Sequence, residues 1–379
     1  MSEPQDLMAS VDDRGRAWRV AVVLCALLAA LNLAAGLTGG LARLGWDMGR
    51  GSPLSLHGLL LVCGFFGTLL GLERALALRQ AWGLGVPFAA SMGGLLAWSG
   101  APVEQALLLW LLASVGLLAL YVRAATRGQR TLPVSVEMLG AACWFAGMLL
   151  WLQGNLAHEA MAAWMAFLVL TLAGEEREWA QRGTLAPAAR GLFKAAVLLL
   201  PAAVLLALLE GLSEWPRRLG WQDASQRTWW IGSLLLGLWL LWHDPARHHW
   251  RAPAWRGFGA QALTLGYGWL VAGGVLGLAG AWWPMAAAGP AWHAVLLGFA
   301  FSVLFARVPA LLPAMVRIEP RYSALLYLPL WGLAAGMALR IGAMGFRHPV
   351  LLAASGVLAA TAIGLYVLLM ARAAWAGRR

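Results

Sequence analysis

Apolar runs of about 20 residues follow one another along the whole chain, separated by short stretches that hold most of its arginines. A run of that length crosses the hydrocarbon core of a bilayer as an α-helix. In lipid every backbone N–H and C=O must be satisfied within the protein, which for such runs means helix. Only 12% of the 379 residues are charged and 61% are hydrophobic. A soluble domain carries about 25% charged residues, too many more for this chain to dress a water-facing surface. The expected fold is therefore an all-α polytopic membrane protein, with the lipid bilayer as its principal partner.

The runs divide into about twelve spans, at roughly 18–42, 54–78, 82–100, 103–123, 133–153, 157–174, 191–211, 227–243, 255–281, 286–306, 322–342 and 348–371. The expected organisation is a short N-terminal segment 1–17, a single membrane domain 18–371 and a short C-terminal tail 372–379. The first run follows a mixed-charge stretch and lacks a small-residue cleavage site, which makes it a retained span rather than a signal peptide. Of the 28 Lys and Arg residues, only Lys194 is a lysine. The N-terminus, the even-numbered loops and the C-terminus hold 21 of them, and the odd-numbered loops hold 7. That bias is a positive-inside signal and puts both termini in the cytoplasm. It also accounts for the net charge of +11, which in a soluble protein would suggest nucleic acid and here does not. Cys25, Cys63 and Cys143 are isolated within apolar runs and read as buried thiols.

Polar residues inside such runs mark function or pairing, because lipid makes them costly. Spans 2, 6 and 10 run in the same direction, and each begins with a histidine: His57, His158 and His293. The three therefore share one depth, near the outer third of the bilayer. A spacing of four spans suggests three four-helix repeats around a pseudo-threefold centre. At 100° per residue, Leu61, Gly64, Thr68 and Gly71 fall within about 40° of His57. A stripe of small residues under a histidine suits a flat cofactor lying against Gly64, Thr68 and Gly71. It equally suits close helix packing through small side chains.

Neutral imidazole is a ligand for haem iron and for copper. His57 and His293, on different helices at one depth, are the candidate axial pair for a b-type haem. His158 with Glu159 and Met161 is the candidate copper set, because carboxylate, imidazole and thioether are all available within one turn. Met161 and Met165 equally suit ordinary packing. Tyr267 in span 9 is a candidate hydrogen-bond donor to a bound ligand. Glu73-Arg74 lies roughly 24 Å along the helix from His57. It matches Glu175, Glu176 and Arg177 at the end of span 6, and an ion-pair cluster at the membrane edge is expected there.

Four stretches together resemble one family: LHGLLLVCGFFGTLL in span 2, FLVLTLAGEEREW in span 6, LTLGYGWLVAGGVLGLAG in span 9 and WHAVLLGFAFSVLFARVP in span 10. The resemblance is to the NnrS-like haem- and copper-containing proteins of the bacterial inner membrane, tied to nitric-oxide metabolism and nitrosative stress. Their layout is in turn similar to subunit I of haem–copper oxidases and nitric-oxide reductases, where histidines of spans 2 and 10 hold a low-spin haem. Carried over, this implies His57 and His293 as haem ligands, His158 as a copper ligand, nitric oxide or another small gas as a ligand, and a membrane or periplasmic electron donor. The chain departs from those patterns with Gly58 after the first histidine, Thr264 in span 9, no histidine pair in span 7 and one histidine in span 10. A complete binuclear centre is therefore not expected, and a single haem is. Two other readings stay open from the residues alone: a twelve-span secondary transporter, and a metal-free assembly factor for a respiratory complex.

Overall fold

The structure is a computed structural model that describes residues 3–48, 56–129, 131–153, 157–179, 186–212, 223–282, 289–316 and 318–377. Among the described residues there is no strand, and twelve helical segments follow in order. They are α1 (Glu3–Arg43), α2 (His57–Leu78), α3 (Gly85–Ser99), α4 (Val103–Thr126), α5 (Leu132–Leu152) and α6 (Ala157–Trp179). The second half comprises α7 (Pro187–Leu212), α8 (Ala224–His243), α9 (Ala254–Trp282), α10 (289–316), α11 (Tyr327–Gly345) and α12 (Pro349–Gly377). Each corresponds to one expected span. The largest departure is α1, which continues as helix back to Glu3, through the expected boundary at 17. Nine of the twelve are long and apolar enough to cross a membrane. The remaining three are α3, with 15 residues, and α6 and α8, which carry polar first turns. The chain is a multi-pass helical membrane protein.

It divides into two compact units. One comprises Met1–Ala42, Met48–Leu120 and Leu311–Ile318, and the other Arg43–Asp47, Tyr121–Ala310 and Glu319–Arg379. Within the first unit, α1, α2, α3 and the start of α4 pack through glycine notches. A Cβ at Gly94 would stand 1.6 Å from Asn32 Oδ1, and one at Gly93 would stand 2.8 Å from the Trp110 ring. Within the second unit, α5 and α6 run against each other along Gly140 and Gly147. These lie seven residues apart and receive Thr171 and Trp164. At Gly277 of α9 a Cβ would stand 2.0 Å from the Trp230 ring of α8. Without a hydrophobic drive between helices in lipid, such close approach of small and large residues is what holds the bundle.

Two spans are not plain α-helices. In α2 the seven residues Leu60–Phe66 form a π-helix, and in α10 Ala294–Ala300 do the same. Every residue of both segments is buried. The two segments share a register: Gly64 and Gly298 are each the fifth residue, Phe65 and Phe299 each the sixth, and Thr68 and Ser302 each follow two residues after the end. Each glycine takes a bulky side chain from the preceding helix. Asn32 of α1 meets Gly64, and Trp269 of α9 meets Gly298. The third expected member of the set, α6, is α-helical throughout and carries the large residues itself, its partner α5 supplying the glycines. A π-turn widens the helix, costs regular hydrogen bonding and is frequent at functional sites. α2 and α10 are also the most enclosed of the candidate spans, with 83% and 67% of their most apolar windows buried, against 28% for α12.

Candidate functional site

His293 ends the first turn of α10, immediately before its π segment. Its Nδ1 lies 2.7 Å from the Gly289 carbonyl oxygen, and its Nε2 lies 3.1 Å from an Nη of Arg340 on α11. A guanidinium can only donate, so Nε2 is the acceptor and the ring proton sits on Nδ1, where it is donated to Gly289. Both contacts specify the same neutral tautomer. A backbone-held Nδ1–H with a directed Nε2 lone pair is the arrangement by which proteins orient a ligating histidine. The turn that carries the ring is fixed by its neighbour, Trp292. That ring stands 4.7 Å from Trp229 and 4.3 Å from Trp230, centroid to centroid. Trp229 is itself anchored by donating from Nε1 to the Ala162 carbonyl at 2.8 Å.

Arg340 lies five residues before the end of α11. It is half-buried, and its Nε is enclosed without an acceptor among the described residues. Its hydrogen-bond partner there is the neutral ring of His293, not a carboxylate.

His57 begins α2, three residues before the other π segment, and is half-buried. Its ring packs beside Gly40 of α1, where a Cβ would stand 3.7 Å from Cδ2. His57 belongs to the first compact unit and His293 to the second. In the shared π register the two histidines are offset by two residues, since His293 directly abuts its segment.

On the face of α2 that the sequence offers to a flat cofactor, Gly64 and Gly71 stand against side chains of α1 and of the segment Val86–Pro87. A Cβ at Gly64 would stand 2.4 Å from Asn32 Oδ1, and one at Gly71 would stand 2.9 Å from Val86. The Thr68 hydroxyl bonds back to the Gly64 carbonyl. Gly64, Thr68 and Gly71 thus serve close helix packing. Tyr267 is buried and donates to Asp244 Oδ2 at 2.8 Å, while Asp244 Oδ1 accepts from the Ala246 amide at 2.7 Å. Its hydroxyl ties α9 to the end of α8. His158 and Glu159 lie in the first turn of α6, and their side chains are outside the described part of the structure. Met161, one turn on, is half-buried. Among the described residues no three His, Cys, Asp or Glu side chains are grouped to hold a metal ion.

The remaining histidines have local partners. His243 stacks on Trp239 at 4.7 Å, and Arg256 lies 2.7 Å from His249. His348 accepts from the Leu351 amide at 3.3 Å and so caps the first turn of α12. At the far end of α10, Arg307 pairs with Glu175 and stands 3.8 Å from Glu176. This ion cluster lies inside the protein: none of the three is more than 7% exposed.

Three buried or half-buried polar residues were not among the candidates from the sequence: Asn32, Glu137 and Arg340. Glu137, 1% exposed, sits in α5 against Gly174 of α6. All three are lone polar residues within apolar runs, which is the signal that would have found them. Arg340 is one of the seven basic residues that the spans assign to the odd-numbered loops, and it lies within α11.

A family model described as a domain of unknown function (DUF8744) matches residues 19–375, and so takes in parts of all twelve helices. The chain belongs to this family. The match gives the DUF8744 chain a family without a reaction, so function rests on the site. No curated protein matches the chain.

Proposed function

We propose that this protein is a membrane haem protein of the NnrS-like kind. In this reading His57 and His293 would hold one b-type haem through their imidazole nitrogens. Its role is nitric-oxide handling, protection against nitrosative stress or membrane electron transfer. The observation that carries the reading is His293. Its Nδ1–H is held by the Gly289 carbonyl, so its acceptor nitrogen is Nε2, which takes the Arg340 hydrogen bond. That nitrogen is the donor haem iron takes from histidine. The common π segments of α2 and α10 support it, since they set apart the two spans that carry the proposed ligands.

The fit of the residues is selective. The imidazole suits the iron, while the neighbours that Gly64 and Gly71 of α2 meet are Asn32 and Val86. Tyr267 is committed to Asp244. When bound, the haem supplies a one-electron couple and an iron able to interact with a small gas. The chain's own contribution is to hold one ligand tautomer, to clamp its turn with Trp292 and to enclose α2 and α10 in apolar protein. With both termini cytoplasmic in a bacterial inner membrane, as the arginine bias favours, the two histidines fall toward the opposite face. There they are within reach of a membrane or periplasmic electron donor. Copper at His158, Glu159 and Met161, and the three-repeat layout, remain subsidiary parts of the same proposal.

The test is an absorption spectrum of protein purified from cells with ample haem, reduced minus oxidised, together with haem, iron and copper analysis. A Soret band that is lost or shifted in both His57→Ala and His293→Ala is expected. A colourless, folded protein would sink the proposal. Solute uptake into proteoliposomes by that colourless protein would then favour a transporter, and loss of haem from a respiratory complex in a deletion strain an assembly factor.

A further inference from the structure

The contact between Arg340 and His293 makes a demand that the haem reading alone does not. The Nε2 lone pair that would bind iron is the one that accepts the Arg340 hydrogen bond at 3.1 Å. One lone pair cannot do both. The other ring nitrogen offers no alternative, because Nδ1 carries the proton donated to Gly289. Among the described residues Arg340 pairs with no carboxylate, and its Nε meets no acceptor. A cation within an apolar helix is costly unless it is paired or used. Here it is spent on a neutral ring.

We infer that Arg340 is a positioning residue that guards the ligating nitrogen of His293. Its guanidinium holds the ring in the ligand-ready tautomer and blocks Nε2. A metal centre gains His293 only by displacing Arg340. This rests on the haem reading for its biological purpose, but the blocked nitrogen is testable without haem.

The first measurement uses full-length protein purified without haem. Diethyl pyrocarbonate modifies accessible imidazole nitrogen, and peptide mass spectrometry gives the rate at His293. Arg340→Met should raise that rate about tenfold, the effect of losing one hydrogen bond from a charged donor. Arg340→Lys keeps the charge without the planar fork and should fall between the two. It also serves if the methionine variant does not fold. The second measurement is haem titration followed at the Soret band. Arg340→Met should bind haem about tenfold more tightly. The gain should vanish when His293→Ala is added, because the two residues act through one contact.

Unchanged reactivity of His293 in both arginine variants overturns the inference. So does a haem affinity that falls on removing Arg340, or that rises equally without His293. If His293 becomes reactive but no variant binds haem, the haem reading fails and the blocked nitrogen stands.

Discussion

Replacing Arg307 by methionine leaves Glu175 and Glu176 as neighbouring carboxylates, 6% and 7% exposed, without the guanidinium that faces both. Removing one member of a buried ion cluster costs about 3–5 kcal/mol, because the remaining charge keeps its desolvation penalty and loses its compensation. An entropy of unfolding of about 2.1 cal/mol/K per residue converts that loss to a fall in melting temperature of about 4–6 °C for a chain of this length. The assay is a circular-dichroism melt at 222 nm in detergent, at one fixed scan rate because membrane proteins rarely unfold reversibly. The control is the triple variant Glu175→Gln, Glu176→Gln and Arg307→Met. Removing these three charges together removes most of the penalty, so this variant should melt well above the single one and near the wild type. Two results refute the reasoning: Arg307→Met melting with the wild type, or the triple variant melting as low as the single one.

Tyr267→Phe removes a hydrogen bond to the buried Asp244 carboxylate, and should cost about 1.5–3 kcal/mol of stability in the same melt. If Tyr267 serves the bundle and not a cofactor, the haem spectrum of this variant should match the wild type. Gly94→Ala should be strongly destabilising, since its Cβ would overlap Asn32 Oδ1. Adding Asn32→Ala should restore part of that loss, so that a double-mutant cycle shows a coupling of about 1–3 kcal/mol.

Among the described residues the sequence was sufficient for the order and approximate limits of the helices, because apolar runs mark most of them in lipid. It carries no sign of how α2 turns beyond its first residues. Placing Gly64, Thr68 and Gly71 beneath His57 assumed an unbroken advance of 100° per residue. Leu60–Phe66 is π-helical, and an extra residue in a wide turn rotates everything after it by about 100° relative to what came before. No periodicity in LLVCGFF announces that turn. The contact of Arg340 with His293 joins residues 47 apart on different helices. Composition can flag each as costly, but only the fold decides that they meet. The Glu175–Arg307 pairing was half legible, as a charged membrane edge, while its enclosure was not.

The three tryptophans beside His293 give this protein an optical address at its candidate site. Trp229, Trp230 and Trp292 stand between 4.3 and 4.7 Å from one another, close enough for their excited states to mix. Trp292 precedes His293 in the chain, so their joint emission and exciton signature belong to the turn that bears the ring. Twenty-three tryptophans would otherwise blur any such signal. Replacing Trp292 alone by phenylalanine subtracts the coupled component from the spectrum. The difference reports on that turn, and a chromophore arriving at His293 would quench it by energy transfer in an otherwise unlabelled protein.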